Sequence, residues 1–200
     1  MNILNSQEIE KILEESKQTT CHEVIFMGLQ TGARMNELLA LNWGDVDLNR
    51  SVIHISKTLQ FGKSGDTSFK APKIKSSNRS IALSQEAVTF LRTVLIDQTL
   101  STGNFDVDND TPVFVKWKWI KATQAGIGLH GVVNKEQWLL NPPKVITSIG
   151  ERLLPSAVTH GFKKIVRKLE LNESITFHDI RHTHATILFI KGVDPKIVQE

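Results

Sequence analysis

Residues 178–186, HDIRHTHAT, place three histidines and one arginine within nine positions. Two chemistries use such a cluster. His178 and His182 stand four apart with Asp179 between them, which approximates the H-E-x-x-H pattern of a zinc hydrolase with a shorter acid. His178 and Arg181 stand three apart on one helix face, where an imidazole and a guanidinium could hold one phosphate. A second candidate lies at 31–48, TGARMNELLALNWGDVDL. Arg34 follows a glycine turn where a helix begins, and Glu37, one turn on, can reach the same side. That pattern is either a surface ion pair or an arginine aimed by a carboxylate into a cleft. A third feature is clustered cations. Lys57, Lys63, Lys70, Lys73, Lys75 and Arg79 fall in 57–79 against the single acid Asp66, and GFKKIVRK at 161–168 contributes Lys163 and Lys164. Such clustering is the footprint of phosphate contact, with a solvated basic face as the plain alternative.

The rest of the composition narrows the field. Two hundred residues with a net charge of +3 suit one folded domain with a real core. No apolar run approaches the ~18 residues of a membrane helix. MNILNSQEIE lacks the basic and apolar regions of a secretory signal, so the cytoplasm is the expected compartment. Cys21 is the only cysteine, which excludes an internal disulfide and a cysteine-based zinc site. There are nine phenylalanines and four tryptophans but no tyrosine, so any phenol chemistry must come from outside these residues.

Periodicity and punctuation supply the elements that would position these groups. Ser6 can cap a helix through about Ser16, with Ile9, Ile12 and Leu13 on one face. Thr20-Cys21-His22-Glu23 reads as a capping box before VIFMGLQ, and Gly32 fits the C-terminus that follows. A short helix is expected over 36–41 and a strand over Val52–Ser56. Residues 57–83 read as two further strands of a small antiparallel sheet, with Ser76-Ser77-Asn78 at a turn. Ser84 caps SQEAVTFLRTVLIDQ, STGNFDVDNDTP is a loop, and VFVKW reads as a short strand. Trp117, Trp119 and Trp138 are assigned to the core. Leu154-Pro155-Ser156 opens a helix through Leu169, with proline near its first position. Thr176 caps the helix carrying HDIRHTHAT, which runs to Gly192. Asp194-Pro195 starts another that is too short at Glu200 to hold itself together, so the natural sequence is expected to continue. The fold class is α+β, mostly helical with a small three-stranded antiparallel sheet.

TGARMNELLALNWGDVDL, PKIKSSNRSIAL and HDIRHTHAT, in this order, resemble the three signature blocks of the tyrosine recombinase (phage integrase) catalytic domain. The likeness runs from LNSQEIEKIL to GVDPKIVQE, so residues 1–200 read as that domain, incomplete at its C-terminus. By the resemblance, Arg34 matches an active-site arginine and Glu37 its acidic partner. Lys73 matches best a lysine on a β-hairpin. Lys75 points to the same side of a strand, and periodicity cannot separate the two. His178 and Arg181 match the His-x-x-Arg block. The family's further His or Trp, its tyrosine nucleophile and its N-terminal DNA-clamping domain have no match here.

The resemblance implies cleavage and rejoining of duplex DNA through a 3′-phosphotyrosyl link, without metal, ATP or other cofactor. It also implies a full-length protein that assembles as a tetramer on DNA and integrates a phage or mobile element in a bacterial cytoplasm. Arg34 and Arg181 would grip the phosphate, Lys73 would protonate the leaving oxygen, and His178 would assist. Lys57, Lys63, Lys70, Lys75, Arg79, Lys163 and Lys164 are the expected DNA contacts. His182 and His184 are read as structural. Two readings compete: a non-catalytic DNA-binding or assembly fragment, and a zinc hydrolase on His178 and His182 that leaves Arg34 and Glu37 without a role.

Overall fold

The computed structural model describes residues 2–17, 19–61, 67–70, 78–102, 107–116, 119–121, 144–146 and 151–194. The first helix, α1 (Ser6–Ser16), is capped one residue earlier than Ser6. The Asn5 side chain accepts the Glu8 N–H at 3.0 Å and the Glu8 carboxylate accepts the Asn5 N–H at 2.8 Å. Two orphan donors are thereby satisfied reciprocally. Helix α2 (His22–Thr31) begins without the capping box that its sequence suggests. Its N-cap, Cys21, is already helical in backbone and its side chain caps nothing; the buried thiol instead lies 3.1 Å from the Thr19 hydroxyl.

Helix α2 ends at Gly32, as the glycine indicates. Gly32 is left-handed (φ 62°) and donates its N–H to the Gly28 carbonyl at 2.9 Å. This conformation strains any residue with a Cβ. A Cβ there would also lie 2.5 Å from Cδ2 of His184. Gly32→Ala is therefore expected to cost about 1–3 kcal/mol from the backbone alone, read as a lowered urea midpoint at unchanged slope.

Helix α3 (Met35–Leu38) is shorter than the 36–41 expected. Asp45 accepts the Asn42 N–H at 2.9 Å and pulls the chain into a 3₁₀ turn, Trp43–Asp45. Strands β1 (Val46–Asp47) and β2 (Val52–Ile55) follow, antiparallel, with Ser51 left-handed between them. β3 (Thr58–Phe61) and β4 (Thr67–Lys70) form a separate antiparallel hairpin that starts at Thr58↔Lys70. β5 (Arg79–Ala82) then returns to β2 in the register Ile53↔Ile81 and Ile55↔Arg79. The α+β class and the three-stranded sheet hold, with strand order β1-β2-β5. The basic hairpin is a second, two-stranded sheet and not a continuation of the first.

Ser84 caps α4 (Gln85–Thr102) by accepting the Ala87 N–H at 3.1 Å. Where VFVKW suggests a strand, its described residues form a single bridge, Val115↔Arg152, although Val113, Phe114 and Val115 are buried. β6 (Trp119–Lys121) and β7 (Lys144–Ile146) pair antiparallel. The core assignments of Trp117, Trp138 and the Trp119 side chain, and the helix expected from Asp194-Pro195, lie outside the described residues. Helix α5 (Pro155–Lys168) starts on Leu154 with proline in its first turn, as expected, and packs on α1.

Helix α6 (Phe177–Ile190) is capped by Thr176, as expected. The Asp179 carboxylate accepts both the N–H and the hydroxyl of Thr176 at 2.9 Å. α6 crosses α2 so closely that a Cβ on Gly28 would sit 2.9 Å from the Phe177 ring. The N-terminal segment is tied to the same helix, with the Asn2 N–H on Asp179 at 2.8 Å and the Leu4 N–H on Thr183 at 3.0 Å. The core joins Ile12, Ile25, Met27, Leu38, Ile53, Leu91, Phe114, Phe162 and Ile180 from the six helices, β2 and the 113–115 segment. Two segments joined by a contact that spans 149 positions, the turn at 32–34 and the first turns of α6, are thus held side by side.

Candidate active site

Arg34 stands at the N-cap of α3 in extended conformation, directly after the Gly32 turn. Its own helix supplies its first constraint. Glu37 Oε2 accepts the Arg34 backbone N–H at 2.9 Å, and Glu37 Oε1 accepts Nη1 of the Arg34 guanidinium at 2.9 Å. One carboxylate thus sets both the backbone and the side chain of Arg34. The Glu37 side chain is 7% exposed, yet Arg34 remains 58% exposed. Burial pushes the Glu37 carboxyl up, but hydrogen bonds from Arg79 and Arg34 outweigh it and hold the group below the usual carboxylate range.

Arg181 reaches this turn from α6. Its Nη1 donates to the Gly32 carbonyl at 2.5 Å. Burial and the adjacent charges of Arg34 and Arg79 push its guanidinium below its ordinary value, while Glu37 pulls the other way. Arginine stays charged under such a shift. Arg34 and Arg181 thus stand at one glycine turn, near enough to feel each other's charge and that of the buried Glu37 carboxylate. That excess of positive charge suits an anion with several oxygens.

The other expected residues are placed as follows. His178 is exposed on α6, three residues before Arg181, with its ring edge-on to His182 at 4.5 Å between centroids. His184 packs on Gly32 and places Nδ1 2.6 Å from the Leu29 carbonyl. A carbonyl only accepts, so Nδ1 carries the proton. Burial, opposed by that bond and helped by Arg181, holds the ring below the ordinary histidine range. Lys57 is paired with Asp45 at 2.9 Å. Lys70 is exposed on β4, and Lys163 and Lys164 are exposed on α5. Arg79, expected among the DNA-facing cations, is 13% exposed, with its guanidinium against Glu37. Lys63, Lys73 and Lys75 lie outside the described residues.

Sequence reasoning did not single out Arg152. Its guanidinium donates to the Leu39 and Leu41 carbonyls at 2.7 and 3.0 Å and lies 5.0 Å from the Phe69 ring centroid. It holds the C-terminal end of α3, and nothing in the local pattern GERLLP marks it. The zinc reading loses its acid: both Asp179 oxygens are engaged by Asn2 and Thr176. Among the described residues no three His, Cys, Asp or Glu side chains are grouped to hold a metal ion.

Comparison with known proteins settles the relationship. The sequence profile of the phage integrase family matches residues 2–200. The chain belongs to the phage integrase family. An XerC-like tyrosine recombinase of Caldanaerobacter subterraneus subsp. tengcongensis is 24% identical over 207 residues, covering 98% of this integrase-family chain and 45% of the relative. The integrase of Staphylococcus phage L54a is 26% identical over 177 residues, covering 85% and 40%. The family chain therefore spans less than half the length of these curated relatives. The Tn1549 transposon integrase, solved with circular intermediate DNA, superposes with a TM-score of 0.71 at 20% identity, over 99% of this chain and 57% of that one. The XerA recombinase does so at 0.61 and 22% identity, over 100% and 53%. These likenesses confirm the integrase catalytic-domain fold.

Proposed function

We propose that residues 1–200 are catalytic-domain sequence of a site-specific recombinase that cleaves and rejoins duplex DNA by transesterification, in a phage or integrative element. The observation that carries this reading is the pair of guanidiniums, Arg34 and Arg181, meeting at the Gly32 turn. In phosphoryl transfer the protein mostly positions groups and stabilises charge on the non-bridging oxygens. Arg34 and Arg181 would bind those oxygens. A phenol would attack phosphorus, the 5′-oxygen would leave with a proton from Lys73 or Lys75, and a 3′-phosphotyrosyl link would store the bond. His178 would hydrogen-bond a phosphate oxygen and assist proton transfer. These 200 residues contain no tyrosine, so the phenol comes from outside them.

The DNA-bound forms in which the Tn1549 integrase was solved support duplex DNA as the partner. Lys70, Lys163 and Lys164 are exposed cations available to the backbone. The full-length protein would work as a tetramer on two duplexes. No helix among the described residues is long and apolar enough to cross a membrane. The proposed setting, a bacterial cytoplasm, follows from the recombinase reading.

The test has two parts. Affinity for a 30-bp duplex should fall linearly with the logarithm of salt, by about 0.9 in log units for each phosphate neutralised. On site DNA selected by that binding, the chain should restore strand cleavage to a tyrosine-bearing recombinase subunit that lacks its active-site arginines. Salt-independent affinity would argue against the DNA reading. Salt-dependent binding without restored cleavage would favour the non-catalytic binding module.

A further inference from the structure

We propose that Arg79 is a positioning residue: its fork on the buried Glu37 carboxylate fixes Arg34, and it does not itself contact DNA phosphate. The inference rests on the recombinase reading above and assigns a role within the same site.

The carboxylate of Glu37 is fully engaged. Oε1 accepts Arg34 Nη1 at 2.9 Å and Arg79 Nη1 at 3.3 Å, while Oε2 accepts the Arg34 backbone N–H at 2.9 Å and Arg79 Nη2 at 2.8 Å. Four donors meet the roughly four lone-pair sites that a carboxylate offers. Two come from Arg79 as a parallel fork, the arrangement that adds direction as well as attraction. The exposures divide the two arginines. The side chain of Arg79 is 13% exposed and that of Arg34 58%. To reach a phosphate, Arg79 would have to give up both of its hydrogen bonds to a buried carboxylate. Arg34 can meet one with its Glu37 bonds intact.

The need for such an anchor follows from the length of α3. Four residues cannot hold a helical turn unaided, so α3 and its Glu37 need outside support to aim Arg34. Arg152 holds the carbonyl end of α3, and Arg79 holds the opposite end through Glu37. Arg79 is itself set by the sheet, where it faces Ile55 at the end of the β2–β5 ladder. Position therefore passes from β5 to Glu37 to Arg34. Three cations surround Glu37: Arg34 from α3, Arg79 from β5 and, through space, Arg181 from α6. Without Arg79, burial acts on the carboxyl against weaker opposition, so Glu37 takes up a proton at higher pH.

Arg79→Ala, with Arg79→Lys as the variant that keeps the charge but not the fork, separates positioning from contact. In the restored-cleavage assay, Arg79→Ala should slow single-turnover cleavage on the order of a hundredfold, the scale of a misplaced reacting group, with Arg79→Lys in between. The acid limb of its pH–rate profile should move to higher pH within the range where circular dichroism shows the variant still folded, which mere loss of stability would not cause. The salt slope of duplex binding should match wild type, whereas Arg34→Ala should lower it by about one. A slope lowered equally by Arg79→Ala, with the acid limb unmoved, would make Arg79 a phosphate contact and overturn the proposal. If Arg79→Ala does not fold, Arg79→Lys carries the same readouts. If wild-type chain restores no cleavage, the recombinase reading fails, and the carboxyl ¹³C titration of Glu37 decides on Arg79. A higher midpoint in the variant supports positioning, and an unchanged one overturns it.

Discussion

Arg181→Ala is expected to slow strand cleavage by about 10²- to 10³-fold, the cost of removing one preorganised donor from a developing anionic transition state. Duplex binding should weaken far less, since Arg181 would be one cation among several and its main contribution comes as charge develops. The side chain does two things at once. It would offer charge to the phosphate, and it donates to the Gly32 carbonyl at 2.5 Å. Arg181→Lys keeps a charge but loses the planar fork, so it should recover binding more than rate. The measurement is single-turnover cleavage of selected site DNA beside its equilibrium affinity. A variant that loses affinity while its saturated cleavage rate is unchanged would indicate a contact made equally in the ground and transition states.

Glu37→Ala is expected to be the most destabilising substitution in the site, by about 3–5 kcal/mol, because it removes one partner of a buried ion pair and leaves the other. Arg79, 13% exposed, is the stranded partner. Arg34 is too exposed to add much. Urea denaturation at pH 7 reads the loss directly. The pH dependence has a defined sign. The folded Glu37 carboxyl is held below its ordinary value. Its contribution is therefore complete above the unfolded glutamate pKa and is lost as pH falls through the depressed folded one. Glu37→Gln should flatten that acid limb of the stability curve. A Gln variant with an unaltered acid limb would show that the pair contributes nothing net.

The parts of this site that are close in sequence were legible there. The Gly32 turn, the Arg34–Glu37 spacing and the Thr176 cap each depend on one residue's backbone freedom or on an i,i+3 reach, and each is found where the pattern puts it. Capping rules failed by one residue at Asn5 and wholly at Thr20, where Cys21 is drawn into the core before its helix starts. Arg79 and Glu37 are 42 positions apart, and a cation in a basic stretch looks the same whether it faces solvent or a buried acid. Alternation along 57–83 shows which residues share a face but not which strands pair, so the separate β3–β4 hairpin was not foreseen. Arg152 acts on backbone carbonyls, which leave no trace in side-chain pattern. The choice between Lys73 and Lys75, and the placement of Lys63, lie outside the described residues.

Two arginines are expected to bind oxygens of the same phosphorus centre. A crystal structure of the chain with a duplex carrying its selected site tests that directly. The guanidiniums of Arg34 and Arg181 should each lie within about 2.7–3.2 Å of non-bridging oxygens of one phosphate, with Glu37 and Arg79 still joined behind them. Guanidiniums on two different phosphates, or Arg181 turned away from the DNA, would contradict it.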